Sequence, residues 1–405
     1  MDRRLLVLAL GMFALGTDSF VVAGVLPEIA RDFKVSIGAA GQMTTIYAVT
    51  IAILAPVIAA VAAHIQRNRL LLAGLSLFVI ANLATALAPN FEVALATRAL
   101  AGLGAAMFAP TATGAAASIV PADKRGFALS VVATGMTVST ALGAPIGTLI
   151  GGLADWHWTM VFVSALAAVS GIGVSISLSH IPMLPPVSLG KRLAPLADAR
   201  IGLALATTFL FFSAAFTIYT YFAVVFSKAI GGSAPVLAGL LVVWGVAGTV
   251  SNLFAGRLID AIGSRKVLIT MLALVFVNFM LLQWTSLGLW TAIPAILLWG
   301  ACGWGSTVPQ QHRIVGIAPQ IAPIVLGLNN SAVFFGTTAA GIIGATAIDA
   351  VGAGNLGYVA AALVAAALIV SELADRRIAA HRNIASNITS PTTPVSLRMV
   401  EDAKA

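Results

Sequence analysis

The amino-acid sequence predicts an all-α membrane protein whose twelve transmembrane helices form two halves of six helices each. Three observations support this fold class: the composition, the number of long apolar segments and the distribution of basic residues. Of the 405 residues, 60% are apolar and only 9% are charged, whereas about a quarter of the residues in a soluble domain are charged. Because so few charges cannot cover the surface of a soluble protein of this length, much of the surface must face lipid.

Twelve apolar segments are long enough to cross a bilayer. A hydrocarbon core about 30 Å thick requires about 20 apolar residues per helix, and in lipid every backbone amide must be paired within the protein. The segments are 5–29, 41–63, 70–88, 93–118, 127–153, 159–180, 201–226, 235–257, 267–285, 288–309, 321–348 and 355–374. They are too long for barrel strands, so each is predicted to be a helix.

Basic residues are distributed unevenly between the two sides of the predicted bundle. With the N-terminus in the cytoplasm, eighteen of the 22 Lys and Arg residues fall on the cytoplasmic side, and only Arg31, Lys34 and Lys228 fall outside. The remaining one, Arg98, lies within a span. Loops rich in Lys and Arg stay in the cytoplasm, so both termini are expected there. The net charge of +8 then reflects topology and anionic lipid headgroups, and no nucleic-acid partner is expected.

The least apolar internal stretch, residues 181–200, separates the two halves. It lies between the sixth and seventh spans and predicts a cytoplasmic linker. Residues 1–180 then form the N-terminal six-helix half, and residues 201–374 form the C-terminal six-helix half. Residues 375–405 are polar and contain Ser, Thr and Pro, so they are predicted to be a disordered cytoplasmic tail.

The two halves resemble each other where their second spans end. A shift of 196 residues places His64 over Asp260 and Arg69 over Arg265. Two similar halves are typical of transporters built from internal repeats, in which the binding site lies between the repeats near the bilayer midplane.

Asp18 is an acidic residue deep inside the first apolar segment. It lies 13 residues after Leu5, or roughly 20 Å at 1.5 Å per residue. A charge at this depth costs at least about 2.5 kcal/mol, so Asp18 must face a cavity or a partner. A carboxyl group that gains and loses a proton there could couple transport to protons. A structural carboxylate locked to one arginine is the alternative.

Arg98 is the only basic residue well inside a predicted span. The depths of Arg98 and Asp18 below the outer surface are compatible with a direct or water-bridged contact. Protonation of Asp18 would then release Arg98, which would link the proton to conformation. In the alternative interpretation, the long side chain of Arg98 extends outward to the polar interface.

The fifth apolar segment carries a small residue at every fourth position, which leaves one face of the helix nearly bare. The residues are Gly135, Ser139, Gly143, Gly147 and Gly151. Pro145 adds a point at which the helix can kink. The bare face is predicted to be either a hinge or sliding face between the halves, or a face for tight helix packing.

Uncharged polar and aromatic residues within the spans are candidates for a solute cavity. They are Gln42, Tyr47, Thr111, Phe216, Tyr219, Trp304, Gln310, Gln311, Asn329 and Asn330. The aromatic members are expected to face lipid or the interface more often than a cavity. For the two asparagines, helix-to-helix hydrogen bonding is an equally good explanation.

Several of these residues occupy positions that resemble motifs of the major facilitator superfamily. The run Gly256-x-x-x-Asp260-x-x-Gly263-x-Arg265-Lys266 is similar to its cytoplasmic loop signature. The resemblance implies that these charged residues form a latch that closes the inner face.

Motifs on the fourth and fifth spans extend the resemblance. Arg98-x-x-x-Gly102-x-Gly104 is similar to the fourth-helix motif, whose arginine is linked to proton transfer. The stretch from Gly135 to Pro145 and Gly147 is similar to the fifth-helix motif of antiporters. This similarity, rather than the physics of the residues, favours export over proton-coupled uptake.

The first and last spans place the chain within one branch of that family. Asp18 stands where the drug–proton antiporter branch has its first-helix acid, and the segments 309–313 and 329–332 resemble arabinose-efflux-permease-like members. One departure is the loop after the second span, where Ala60 and His64 replace the Gly and Asp of the signature. A carboxylate latch is therefore not expected in the first half.

The sequence therefore predicts a secondary transporter in a bacterial inner membrane. The expected cargo is a small neutral or weakly polar solute, such as a sugar, nucleoside or drug, exported by alternating access in exchange for protons. Uptake by symport is one alternative, and a membrane sensor that keeps the fold without transport is another. No enzyme activity, cofactor or metal site is expected, because no nucleophile–base pair or ligand cluster is visible and Cys302 is the only cysteine. A monomer is expected from the resemblance.

Overall fold

The computed structural model describes residues 2–178, 181 and 187–389, and all regular structure among them is helical. Six long helices precede the linker: α1 (Arg3–Asp32), α2 (Ile37–Val61), α3 (Arg67–Ala86), α4 (Phe91–Ser118), α5 (Arg125–Leu153) and α6 (Trp156–Ser177). Six more follow it: α7 (Ala199–Thr220), α8 (Ala234–Ile262), α9 (Ser264–Met280), α10 (Leu289–Ile317), α11 (Ala322–Val351) and α12 (Leu356–Thr389).

Eleven of these helices are long and apolar enough to span a membrane. The remaining one, α9, has 17 residues and is continued, after Leu281, by the short helix Leu282–Thr285. The predicted fold class of twelve transmembrane helices in two six-helix halves is therefore confirmed. The protein is a multi-pass membrane protein.

The linker and the last helix differ in detail from the sequence-based boundaries. A short helix, Leu189–Leu193, and a 3₁₀ turn, Ala194–Ala197, occupy the linker, while its residues 182–186 lie outside the described part of the chain. Helix α12 continues to Thr389, past residue 374. Charged residues end an apolar span but do not end a helix in water, so hydropathy could not place this boundary. Residues 390–405 of the predicted tail are not described.

Short polar side chains begin several helices. Ser36 accepts from the backbone N–H of Ala39 at 3.1 Å before α2, and Asn90 accepts from that of Val93 at 2.9 Å before α4. Such caps satisfy amides that have no partner within the helix. The connection between α8 and α9 is the single residue Gly263, whose φ of 85° favours glycine. The turn itself therefore explains why glycine occupies position 263 of the loop motif.

The glycine face of α5 packs against α1 of the same half. A Cβ atom at Gly135 would lie 2.1 Å from the carbonyl oxygen of Ala9, and one at Gly143 would lie 2.0 Å from the hydroxyl of Thr17. Gly147 meets α1 in the same way. The sequence left open whether this face slides between the halves; the contacts instead place it inside the first half, as a close-packing surface.

A π-helical segment, Ser139–Gly143, interrupts α5 just before Pro145. Proline has no N–H with which to continue the hydrogen-bond ladder, and the extra residue of a π-turn accommodates this loss. The backbone of this segment also forms part of the contact with the second half, because a Cβ atom at Gly245 of α8 would lie 2.3 Å from the carbonyl oxygen of Thr140.

The two halves touch near their outer ends, between α2 and α11. The amide nitrogen of Gln42 donates across to the carbonyl oxygen of Gly341 at 3.3 Å, and the same oxygen accepts from Tyr221 of its own half at 2.8 Å. Nearby, a Cβ atom at Gly38 would lie only 3.0 Å from that of Ala345. At the cytoplasmic side, a cavity of about 410 Å³ opens between α10 and α11. The structure is therefore closed on its outer side.

We expect Gly135→Ala to destabilise the protein and Gly126→Ala to leave it unchanged or slightly more stable. The new methyl group at position 135 would meet backbone, which cannot rotate away, and overpacking of this kind costs about 1–3 kcal/mol or more. At Gly126, on the same helix, nothing lies within 4 Å, and alanine favours helix. Thermal unfolding in detergent measures both changes; equal stability of the two variants would contradict the close packing of α5 on α1.

We expect Gln42→Leu to open the contact between α2 and α11, which we call the outer seam, more often. Loss of one neutral hydrogen bond, worth about 0.5–1.5 kcal/mol, should increase the outward-open population roughly three- to tenfold. In a Cys302→Ser background, Ala345→Cys reports opening through its rate of labelling by a membrane-impermeant maleimide added outside. Gln311→Leu, at the cytoplasmic cavity, is the control for the loss of a glutamine amide. An unchanged labelling rate for Gln42→Leu would show that this hydrogen bond does not hold the seam.

Candidate functional site

The structure brings the buried acid of α1 into direct contact with the buried arginine of α4. Nη1 of Arg98 lies 2.6 Å from Oδ1 of Asp18, and both side chains are almost completely inaccessible, at 1% and 0% exposure. Asp18 lies near the middle of α1, and Arg98 lies in the third turn of α4. The contact that their depths in the sequence allowed is therefore present and direct.

Two further helices complete the surroundings of this ion pair. From α3, Oδ1 of Asn82 accepts a second hydrogen bond from Nη1 of Arg98 at 3.2 Å. From α2, the ring of Tyr47 lies under the guanidinium group, whose carbon is 4.6 Å from the ring centroid, a cation–π distance. The Tyr47 hydroxyl donates to the carbonyl oxygen of Leu15 at 3.4 Å. Arg98 of α4 is therefore held by side chains from three other helices, α1, α2 and α3.

The pair is only partly satisfied by its neighbours. Oδ2 of Asp18 and Nε of Arg98 are buried and have no hydrogen-bond partner among the described residues. Removing two charges from water costs several kcal/mol per ion, and attraction compensates only when the geometry is good. A proton on Asp18 would cancel the attraction and leave Arg98 with the neutral Asn82 and Tyr47. The arrangement is thus chemically suited to two states that differ by one proton.

The same turn of α1 also contacts the second half. Two residues after Asp18, the carbonyl oxygen of Phe20 accepts from the hydroxyl of Tyr219 at 3.1 Å. The ring of Phe20 lies 5.9 Å from that of Trp304 and 6.2 Å from that of Trp244, measured between centroids. A shift of α1 at Asp18 would therefore directly change its contacts with α7, α8 and α10.

Phe20 belongs to an aromatic cluster at the meeting point of the halves. We define this central aromatic cluster as Phe20, Phe212, Phe216, Tyr219, Trp244, Trp299 and Trp304. Adjacent ring centroids are 4.5–6.4 Å apart. The expectation that Phe216, Tyr219 and Trp304 face lipid is wrong, because these rings pack against one another and against Phe20. Ring-to-ring contact buries far more apolar area than a position at the lipid interface.

Another polar network lies at the cytoplasmic end of the second half. The amide nitrogen of Gln310 donates to Thr208 Oγ1 at 2.8 Å, and that hydroxyl donates to Oδ1 of Asn329 at 2.7 Å. Oε1 of Gln310 accepts from Arg313 at 2.7 Å, and Arg313 also reaches Ser371. Asn329 and Gln310 therefore connect α7, α10 and α11 and are engaged in helix-to-helix bonding.

The loop motif between α8 and α9 forms ion pairs within the second half. Arg265 contacts Glu372 at 2.7 Å and Asp375 at 3.4 Å, both on α12. Asp260 and Lys266 are exposed, and nothing lies within 4 Å of a Cβ atom placed at Gly256. In this arrangement, which is closed on its outer side, the cytoplasmic end of α8 is uncovered at Gly256. A latch across the inner face by these residues thus stays a prediction for the opposite conformation.

The remaining cavity candidates fall in separate places. Gln311 lines the cytoplasmic cavity together with Val308 and Val315. Asn330 is exposed on α11, and the hydroxyl of Thr111 donates to the carbonyl of Met107 within its own helix. Gln42 lies in the outer seam, and Tyr47 lies beside Arg98, so neither faces this cavity.

Sequence reasoning missed residues that the structure places at the two polar networks. Asn82 is an amide inside an otherwise apolar span, and that signal was available. Arg313 follows the tenth apolar segment, so the sequence predicts a loop position for it, but the structure buries it at 7% exposure. Its partners Ser371 and Asp375 lie on a helix whose sequence shows no relation to position 313.

The helices form two halves of six, and a buried ion pair with unfilled hydrogen-bonding positions lies close to where the halves meet. These features define a membrane carrier built from repeated halves. The family profile described as the Major Facilitator Superfamily matches residues 8–341. The chain therefore belongs to the major facilitator superfamily and is a transporter, not an enzyme.

Relatives and a solved structure agree with this assignment. The chain is 30% identical to the inner membrane transport protein YdhP of Escherichia coli, over 87% of this chain and 90% of the relative. It is 31% identical to a chloramphenicol resistance protein of Streptomyces lividans, over 92% and 96%. It is 29% identical to a probable sugar efflux transporter of Mannheimia succiniciproducens, over 90% and 92%. The fold matches a crystal structure of the nucleoside transporter NupG, with a TM-score of 0.75, at 10% identity, covering 92% of this chain and all of that one.

We expect Arg98→Met to destabilise the protein strongly, because it leaves the Asp18 carboxylate buried without its partner. The loss of one partner of a buried ion pair costs about 3–5 kcal/mol. The double variant Asp18→Leu/Arg98→Met should recover much of this loss, since no charge then remains. Thermal unfolding of the two single variants and the double variant forms a cycle. Additive losses in the double variant would show that the two side chains do not depend on each other.

Proposed function

We propose that this protein is a proton-coupled efflux carrier of a small neutral or weakly polar solute, acting as a monomer by alternating access in a bacterial inner membrane. The proposal rests above all on the buried Asp18–Arg98 pair beside the seam between the halves. The inner-membrane location is supported by the printed name of a relative.

The coupling step proceeds through the ion pair. Deprotonated Asp18 binds Arg98 and holds α1 against α4. A proton taken up by Asp18 removes the attraction and frees the turn of α1 that carries Phe20. The carbonyl oxygen of Phe20 accepts a hydrogen bond from Tyr219, and its ring packs on that of Trp304. Movement of the freed turn therefore weakens the contact between the halves. Proton binding and solute binding therefore favour opposite conformations, which is the condition for exchange.

The direction of transport has separate support. The ion pair alone would serve uptake by symport equally well. Export is favoured by the similarity of the fifth helix to antiporters and by the relatives named for sugar efflux and chloramphenicol resistance. The sensor alternative has weaker support, because a protein that does not transport gains nothing from a buried, partly unsatisfied carboxylate.

We expect a proteoliposome with an acidic lumen to accumulate the solute, and the variant Asp18→Asn to lose this accumulation. Protons that leave down their gradient drive an antiporter to bring solute in, whereas a symporter accumulates solute only when the outside is acidic. Radiolabelled chloramphenicol, uridine and L-arabinose are the test solutes. Solute–solute exchange without a gradient should continue in Asp18→Asn, because it needs no proton.

Asp349→Asn is the matched control, because this carboxylate is exposed at the outer end of α11. It should accumulate solute as the wild type does. Accumulation by Asp18→Asn at the wild-type level would contradict proton coupling through Asp18. Accumulation only with an acidic outside would contradict export and identify a symporter.

A further inference from the structure

Three buried hydrogen-bond donors in the central aromatic cluster have no acceptor. The indole N–H groups of Trp244, Trp299 and Trp304 are without a hydrogen-bond partner among the described residues. Trp244 and Trp299 are only 4% and 1% exposed. A buried donor without an acceptor is costly, and buried tryptophans usually find one. Three such donors in one cluster indicate that these N–H groups are available to bind acceptor atoms of a ligand.

The cluster offers donors and apolar rings but no charge. Its one hydroxyl, that of Tyr219, already donates to the carbonyl oxygen of Phe20. The carboxylate of Asp18, two residues before Phe20, is held by Arg98, which in turn donates to Asn82 of α3. The ring faces are largely occupied by neighbouring rings, while indole edges carry positive hydrogens. Such a surface suits a neutral ligand with acceptor oxygens and disfavours a cation.

The residues of α10 that line the cytoplasmic cavity have the same helical spacing as Trp304 of the cluster. The lining residues Val308, Gln311 and Val315 continue upward to Trp304 at intervals of four, three and four residues. Residues at these intervals share one helix face. On the neighbouring helix α8, a Cβ atom at Gly248 would lie 2.3 Å from Cδ1 of Trp304, so this glycine provides the space for the indole ring.

We propose that Trp244 and Trp304 determine which solute is carried, by donating indole hydrogen bonds to the acceptor oxygens of a neutral solute with a flat, apolar or aromatic part. Nitro, carbonyl and ring oxygens have this chemistry. The flat part replaces ring contacts within the cluster when the halves separate, and the acceptors satisfy the N–H groups. This proposal rests on the proposed function, because it names the substrate class of the same carrier.

Equilibrium binding to purified protein in detergent tests the assignment without any gradient. The probes are chloramphenicol (neutral, aromatic, with nitro and amide oxygens), L-arabinose (neutral, without an aromatic ring) and tetraphenylphosphonium (aromatic and cationic). Chloramphenicol should bind most tightly. Trp304→Phe and Trp244→Phe keep a ring but remove the donor, and each should weaken chloramphenicol binding about three- to tenfold. Trp284→Phe, at a side chain that is 55% exposed, makes the same change outside the cluster and should bind as the wild type does.

Three results would overturn the assignment. Unchanged chloramphenicol affinity in both cluster variants, with thermal unfolding showing that they are folded, would mean that the donors only face neighbouring rings. Tighter binding of tetraphenylphosphonium would indicate a cation site, and failure of chloramphenicol to bind would exclude the proposed class. Because binding needs no gradient, these failures are separate from failure of the Asp18→Asn transport test.

Discussion

Two opposite charges in the middle of an apolar bundle depend on each other for their place in the fold. Asp18 and Arg98 come from α1 and α4, so their attraction fixes the contact between these two helices. Asn82 and Tyr47 bring α3 and α2 to the same point. The first half is thereby organised around one electrostatic contact that a single proton can cancel. A purely apolar core of the same size would be at least as stable, but it would have no chemical means of changing state.

The two halves share one buried asparagine of this site at equivalent positions, but only the first half carries the charges. The residue 196 positions after Asn82 is Asn278, which donates to the carbonyl of Ala295 at 3.0 Å. At the same offset, Asp18 corresponds to Ala214 and Arg98 to Pro294. The second half instead supplies most of the aromatic side chains at the centre. The halves are thus specialised, with titratable groups in the first and ring surfaces in the second, and Phe20 connects the two.

The sequence predicted what fixed helical geometry determines and could not predict what depends on packing partners. The number of spans follows from bilayer thickness, and the contact between Asp18 and Arg98 follows from a constant rise per residue. The small residues of α5 predict close packing, but they do not identify the partner helix, because a face without side chains can pack against any neighbouring helix. For the same reason the sequence predicts Tyr219 and Trp304 near lipid. An aromatic residue in a span gives the same sequence pattern whether it packs in a buried cluster or lies at the lipid interface. Arg313 was unpredictable because its partners Ser371 and Asp375 lie far along the chain.

The outer seam has one property that bears on how such a carrier can evolve. The hydrogen bond that crosses it from Gln42 ends on the carbonyl oxygen of Gly341, which also accepts from Tyr221 of its own half. A backbone carbonyl is present whatever residue occupies the position, so no substitution can delete the acceptor. Across the seam only the donor, Gln42, is open to selection. The balance between outward and inward states can therefore be adjusted at one side chain, while the point at which the halves meet stays in place.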